Sequence, residues 1–185
     1  MKLDLCKLES PLGELLLVTD SQEQLRALDF ADHRAHLHRL LREHYGAHEL
    51  VEGPAPAHMA AALRRYFEGD LAALDAVATL TAGSDLQRQV WAALRRIPGG
   101  QTTSYGELSR ALGYDDPRMA IEVGAAIGAN PIAIVVPCHR VIAKSGDLKG
   151  YAWGLHRKRW LLAHEHALPP ARPASVPQEA RLPGF

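Results

Sequence analysis

The 185-residue chain is 47% hydrophobic and carries 21 Lys/Arg against 21 Asp/Glu, a balance that supports a soluble globular protein with a packed core in one domain or two. No apolar run approaches the roughly 18 to 20 residues of a membrane helix, and the start, MKLDLCKLESPLG, lacks a signal peptide's apolar stretch and cleavage site. Its two cysteines, Cys6 and Cys138, lie 132 positions apart and read as free thiols rather than a disulfide framework, so a cytoplasmic protein without a membrane partner is expected.

The neutral total hides an asymmetry. Residues 1–80 hold 8 Lys/Arg against 13 Asp/Glu, whereas residues 81–168 hold 11 against 7. The basic half is the candidate for an anionic partner, although an imbalance of this size is more often a solvated surface. LDLCKLES, a Pro11-Leu12-Gly13 turn, ELLLVTD and LRALDF alternate as the strands of an antiparallel meander. Asp32 is placed to cap a helix with Leu37, Leu40, Leu41 and Tyr45 on one face, and a second helix over 57–67 carries Met59, Leu63, Tyr66 and Phe67. His33, His36 and His38 offer a metal-like spacing, but no cysteine or carboxylate completes a tetrahedral set, and they are expected to face solvent.

After a connection from about Asp75 to Gly83, Ser84 is the expected N-cap of a helix DLQRQVWAALRRI, striped by Val90, Trp91 and Leu94 and stopped at Pro98-Gly99-Gly100. Helices over 105–112 and 117–127, joined by a turn at Gly113 and with Pro117 at the first helical position, read as a helix-turn-helix or an ordinary helical hairpin. Asn130-Pro131 ends the second, and IAIVV follows as a continuous apolar run of the kind a buried strand uses. A last helix over 155–166 carries Trp160, Leu161 and Leu162; the proline-rich tail 169–185 is too poor in apolar residues to fold alone.

The apolar run delivers the chain to Pro137-Cys138-His139-Arg140. Only a thiolate is a good nucleophile, and a neighbouring His or Arg lowers a thiol's pKa. A buried, inert cysteine at a strand end remains the alternative, because neighbours in extended chain point to opposite sides and a proton would need a water or a bend to pass from Cys138 to His139.

VVPCHRVIAKSGDLKGYAWGLHRKRWLLAHE resembles the active-site region of the O6-alkylguanine-DNA alkyltransferases, whose signature is Pro-Cys-His-Arg followed by Val or Ile. GQTTSYGELSRALG, the Asn130-Pro131 turn and SPLGELLLV are also similar to that family, so the resemblance covers about residues 1–168. It implies an α/β amino-terminal domain of ribonuclease-H-like topology over 1–80. It also implies a mainly α carboxy-terminal domain over 84–168, with a winged-helix-like helix-turn-helix for DNA binding and catalysis. The implied activity is direct-reversal repair: one irreversible transfer of an alkyl group from O6-alkylguanine, and by extension O4-alkylthymine, in double-stranded DNA to Cys138 of a monomer. No metal and no organic cofactor is implied.

Carried onto this sequence, the resemblance makes Cys138 the acceptor, His139 its general base through a water, and Glu165 the carboxylate that orients the imidazole. Tyr105 would donate to N3 of the guanine and help rotate the nucleotide out. Asn130 would brace the turn between recognition helix and active site. Backbone groups of Cys138, Val141 and Ala152 would read the base edge, with Tyr151, Trp153 and Ile127 lining the pocket. Arg140 joins Ala120, Ile121 and Arg118 in the set expected to face substrate or DNA.

Two departures stand out. Where the family usually has Ala-Arg-Ala-Val-Gly, this chain reads Ala120-Ile121-Glu122-Val123-Gly124, which replaces an inserted arginine by an apolar side chain and adds a carboxylate. Arg118, one turn upstream, is expected to compensate in part. The bulky Trp153 stands where many members have a small residue, from which a narrowed pocket and poor reaction with benzylguanine-type substrates are expected. The rival reading of another class is a protein that binds and flips the damaged base without repairing it; a cysteine hydrolase using Cys138 and His139 is a further one.

Overall fold

The computed structural model describes residues 1–169, so the tail lies, past its first residue, outside the described residues. Strands β1 (Lys2–Leu8), β2 (Leu15–Thr19) and β3 (Leu25–Phe30) form the expected antiparallel meander, with Leu5 opposite Val18 and Leu17 opposite Leu28. Alternation divides their side chains between two faces. Leu3, Leu5, Leu16 and Val18 pack with Leu37, Leu40 and Leu41 of helix α1 (Arg34–Tyr45), while Cys6, Leu15, Leu17 and Leu28 face the rest of the molecule. A strand absent from the sequence reading, β4 (Glu49–Glu52), adds to β1 in parallel and gives the sheet order β3-β2-β1-β4. ELVE is too short and too polar to show a period on its own.

Asp32 does not cap α1; it sits in a short 3-10 turn (Ala31–His33) before the helix, and its carboxylate is 3.0 Å from the Arg157 guanidinium. A long-range cation has taken the oxygen that a cap would have used. His33, His36 and His38 are each half-buried rather than solvent-facing, and His36 Nδ1 lies 2.6 Å from the buried Asp29 carboxylate. Among the described residues no group of three His, Cys, Asp or Glu is placed to hold a metal.

Helix α2 (Ala57–Phe67) buries Met59, Leu63 and Tyr66 against the sheet's second face. The stretch leading to the second half is tied down by Arg95, whose guanidinium donates to the carbonyls of Val77 (2.8 Å) and Leu74 (3.1 Å) and to Thr79 Oγ1 (2.9 Å). Helix α3 (Asp85–Leu94) starts in a capping box, Ser84 with Gln87, and buries Val90, Trp91 and Leu94; residues 95–97 leave the helix as turns. Strand β5 (Thr103–Ser104) runs into α4 (Tyr105–Ala111), capped by Ser104 and Glu107. After the Gly113 turn, α5 (Pro117–Gly128) follows, with Asp116 accepting from the Arg118 N–H at 2.9 Å. The packed α4–turn–α5 pair is the expected helix-turn-helix, and α5 also packs on α3.

IAIVV is buried but is not a strand. It forms turns, with a single bridge from Ile132 to Leu28 and with Ile134 held at φ 67°. Asn130 outcompetes an extended ladder here: its Oδ1 accepts from the Ile132 N–H (2.9 Å) and its Nδ2 donates to the Val136 carbonyl (2.8 Å), closing the loop on itself. Cys138–Arg140 then makes one 3-10 turn, β6 (Val141–Ile142) pairs in parallel with β5, and α6 (Leu155–His164) closes the chain. One apolar cluster runs from Leu17 and Tyr66 through Trp91 to Val136 and Leu161, so both halves share a core. No described helix is long and apolar enough to cross a membrane.

Candidate active site

A pocket of about 280 Å³ opens between α4, α5 and the loop before α6, lined by Tyr105, Gly124, Ile127, Gly128, Cys138, Gly150, Tyr151 and Ala152. That volume lies near the small end for ligand sites and suits one flat ring system. A Cβ at Gly124 would sit 4.0 Å from the Tyr105 ring, an ordinary contact, so the wall glycines leave the pocket open rather than guard a close approach. Cys138 is only 7% exposed, and its Sγ accepts a hydrogen bond from Asn130 Nδ2 at 3.2 Å. The same Asn130 amide that shapes the loop thus fixes the sulfur.

The 3-10 turn is the bend that lets adjacent residues cooperate. It turns His139 inward, fully buried, with Nε2 2.9 Å from Glu165 Oε1. Its other ring nitrogen, Nδ1, is buried without a hydrogen-bond partner among the described residues, as is the Tyr151 hydroxyl. A carboxylate on Nε2 fixes the tautomer that leaves Nδ1 free to accept a proton.

Burial dominates the electrostatics. It pushes the Cys138 thiol up to about 11, against the opposing hydrogen bond from Asn130 and the nearby Lys158 charge. Adjacency to His139 and Arg140 therefore does not yield a resting thiolate: His139 is itself held below its ordinary value by burial, and Arg140 is turned away from the sulfur. Burial alone would raise Glu165, but hydrogen bonds from His139 and Arg140, with their charges, hold its carboxyl well below the usual range. Tyr105 and Tyr151 are both raised, by burial first and by Cys138 second.

Two family models match the chain: the ribonuclease-like domain of 6-O-methylguanine DNA methyltransferase over residues 6–80, and its DNA-binding domain over residues 85–167. The chain is 48% identical over 161 residues to the methylated-DNA–protein-cysteine methyltransferase of Salmonella typhimurium, covering 86% of this chain and 93% of that protein. The chain belongs to the 6-O-methylguanine DNA methyltransferase family. A relative of the same name from Mycobacterium bovis is 45% identical over 136 residues, covering 72% of this chain and 81% of that one. A structure of Mycobacterium tuberculosis OGT in complex with DNA superposes with a TM-score of 0.72 at 36% identity, covering 92% of this chain and 96% of that one. The ribonuclease-like amino-terminal unit and the helical carboxy-terminal unit are those of the methyltransferase family.

Of the residues singled out from the sequence, Cys138, Tyr105, Ile127, Tyr151 and Ala152 line one pocket, with Asn130, His139 and Glu165 directly behind the sulfur. Arg118 and Ile121 are exposed on α5, and Ala120 is half-buried. Two expectations change. Arg140 does not face DNA or substrate: it is buried, its Nε and Nη2 on the two Glu165 oxygens and its Nη1 on the Ile97 carbonyl (2.6 Å). A guanidinium beside a buried carboxylate is better paired than solvated. Trp153 lies outside the pocket: it is 1% exposed, and its Nε1 donates to Asp29 Oδ1 at 2.8 Å across 124 positions. The indole bonds to the amino-terminal half instead of narrowing the site, so the expected exclusion of benzylguanine-type substrates loses its basis. Val141 is fully buried, and its carbonyl oxygen accepts from Lys158 Nζ at 2.7 Å.

Lys158 was missed from sequence. Its buried ammonium also donates to the carbonyls of Leu148 (2.5 Å) and Gly150 (3.3 Å), clamping the loop that supplies the pocket's outer wall. Burial brings its pKa down to about 8. The signal was available: Lys158, Leu161, Leu162 and Glu165 fall at i, i+3, i+4 and i+7, one buried helix face.

Proposed function

We propose that the protein repairs O6-alkylguanine in double-stranded DNA by moving the alkyl group to Cys138 once, with the residues behind the sulfur acting as its proton relay. His139 Nδ1 takes the thiol proton through a bridging water while Glu165 stabilises the forming imidazolium. The sulfur lone pair forms a bond to the alkyl carbon as the carbon–O6 bond breaks. The electron pair passes to the guanine, which gains a proton, and Tyr105 at the pocket mouth is the donor to its N3. The products are guanine and a thioether that no thiol reductant reverses, so each molecule reacts once.

The observation that carries this reading is a thiol at the wall of a base-sized pocket, hydrogen-bonded by Asn130 and backed by the His139–Glu165 pair. Burial holds the thiol above its ordinary value, so the reading needs His139 to take the proton as the sulfur attacks. The base must leave the stack to enter, at a cost of about a few kcal/mol. Ile121, exposed on α5, fits a wedge entering from the minor groove, with Arg118 and Ala120 beside the duplex. Residues 1–80 act as the supporting unit and 84–168 as the reacting one. The proposal takes the protein to act as a monomer in the cytoplasm, where two free thiols are stable.

Intact-protein mass spectrometry after incubation with a duplex containing one O6-methylguanine tests the reading. A single methyl gain mapped to Cys138, absent from Cys138→Ala, is expected. Binding to the lesion without mass gain would make the protein a recogniser of damage instead.

A further inference from the structure

We propose that Tyr66, contributed by the amino-terminal half, is a positioning residue of the relay that sets, through Glu165, the pH at which His139 can take the thiol proton. The inference rests on the functional reading above. Tyr66 is fully buried on α2, yet its hydroxyl is not lost in the core: it donates to Glu165 Oε1 at 2.7 Å, across 99 positions. The same oxygen accepts from His139 Nε2 (2.9 Å) and Arg140 Nη2 (2.8 Å), and Oε2 accepts from Arg140 Nε (2.9 Å). Among the described residues, four donors from three side chains thus complete the carboxylate, and of these three Tyr66 alone lies outside the reacting half.

The aim of the hydroxyl is fixed from behind. The Tyr66 ring lies edge-on to Phe67 and His164, at 5.3 and 5.2 Å, and His164 Nε2 donates to the Tyr66 carbonyl at 2.8 Å. His164 precedes Glu165 in the chain, so the clamp holds Tyr66 in register with the carboxylate it serves. Phenylalanine would fill the same volume without needing a partner for a buried hydroxyl. The tyrosine therefore answers to the carboxylate rather than to packing.

The chemistry follows from sharing one oxygen. Each donor on Oε1 draws off negative charge and weakens that oxygen's hold on the His139 Nε2 proton. Without the Tyr66 hydroxyl, Glu165 favours the imidazolium more strongly, and His139 stays protonated to higher pH, unable to accept from the thiol. Other groups facing His139 are Arg140 on its own turn, Lys158 and Glu165 of the last helix and its end, and the Cys138 thiol with Tyr151 beyond it. Helix α3 also packs on this turn, but its Asp85 and Arg88 pair with each other at the surface.

The test is single-turnover methyl transfer from an O6-methylguanine duplex, measured from about pH 5 to about pH 9 for wild type, Tyr66→Phe and Met59→Ala. Tyr66→Phe should move the acid limb to higher pH by about half a unit, slowing transfer several-fold on that limb while the plateau stays near wild type. 3-Fluorotyrosine in place of Tyr66, a stronger donor of the same shape, should move the limb the other way. Met59→Ala, which opens a cavity two turns earlier on the same helix, should lower the melting temperature and leave the midpoint in place. The His139 imidazole titration, followed by NMR in unreacted protein, should track the kinetic shifts. A Tyr66→Phe profile that is only scaled, with its midpoint and the imidazole titration unmoved, would overturn the proposal. Failure of wild type to gain a methyl group on Cys138 would overturn the functional reading instead.

Discussion

Behind Cys138, Glu165 takes hydrogen bonds from Tyr66, His139 and Arg140, all buried; on the outer face of α5, Arg118, Ile121 and Glu122 stand in solvent, and Arg118 Nε is 3.4 Å from Asp116. The first region is finished before any ligand arrives. The second is arranged for a partner. Substitutions behind the sulfur should therefore be felt by the free protein, through stability and thiol chemistry, whereas substitutions on α5 should be felt only when DNA is present.

The largest effect is expected at Glu165. Glu165→Ala leaves Arg140 buried without its carboxylate, which should cost about 3 to 5 kcal/mol in denaturant unfolding and slow methyl transfer by about a hundredfold or more. The pH dependence has a defined sign. The folded carboxyl is held below its ordinary range, so near and below about pH 4.3 the unfolded chain binds a proton that the folded one does not. The stability this group contributes is present above that pH and is lost as pH falls. Wild type should lose stability on acidification more steeply than Glu165→Gln, and equal slopes would show that the carboxylate is not the acid-sensitive strut.

Asn130 comes next. Asn130→Ala removes hydrogen bonds to Cys138 Sγ, the Val136 carbonyl and the Ile132 N–H at once, for an expected loss of about 2 kcal/mol. It should also raise the thiol further above about 11, since the Asn130 donor is the largest influence opposing burial there. Iodoacetamide labelling of Cys138 across alkaline pH would read that shift. A thiol titration unchanged by the substitution would separate Asn130 from the sulfur and leave it only a loop brace.

The difference between the regions also explains what was legible in the sequence. Local patterns carry local structure: the meander, the Ser84 N-cap and the α4–α5 pair were each readable because their signals lie within a few residues. Asp32, Trp153 and Arg140 misled because their partners are distant: Arg157, Asp29 and Glu165 lie 125, 124 and 25 positions away. IAIVV misled for another reason, since burial makes a run apolar whether it is strand or turn, and the deciding group was the Asn130 side chain before it. The resemblance located the cysteine, the histidine and the glutamate; it did not reveal that Tyr66 and Lys158 are bound to the same site.

On α5 the effects should be smaller and should depend on DNA. Glu122→Ala removes a carboxylate from the helix face offered to phosphates and should tighten duplex binding several-fold, with no measurable change in melting temperature. Arg118→Ala should weaken binding and reduce the steepness of its salt dependence by about 0.9 in the log–log slope if Arg118 leaves Asp116 for one phosphate. Arg110→Ala, at the end of the other helix, is the control. Equal, small losses for Arg110 and Arg118 would remove the idea that Arg118 replaces the usual arginine.

The smallest effect on the free protein should come from Ile121, which is 73% exposed and buries too little area to matter to folding. Ile121→Ala should change stability by less than about 0.5 kcal/mol. Its kinetic effect separates wedge from bystander. If the side chain fills the gap left by the departing nucleotide, Ile121→Ala should slow transfer from a duplex but not from the free modified nucleoside, which has no stack to leave. Equal slowing on both substrates would place its influence in the pocket, through Tyr105 and Gly124, and equal rates on both would leave extrusion to Tyr105 and to the weakness of the damaged pair.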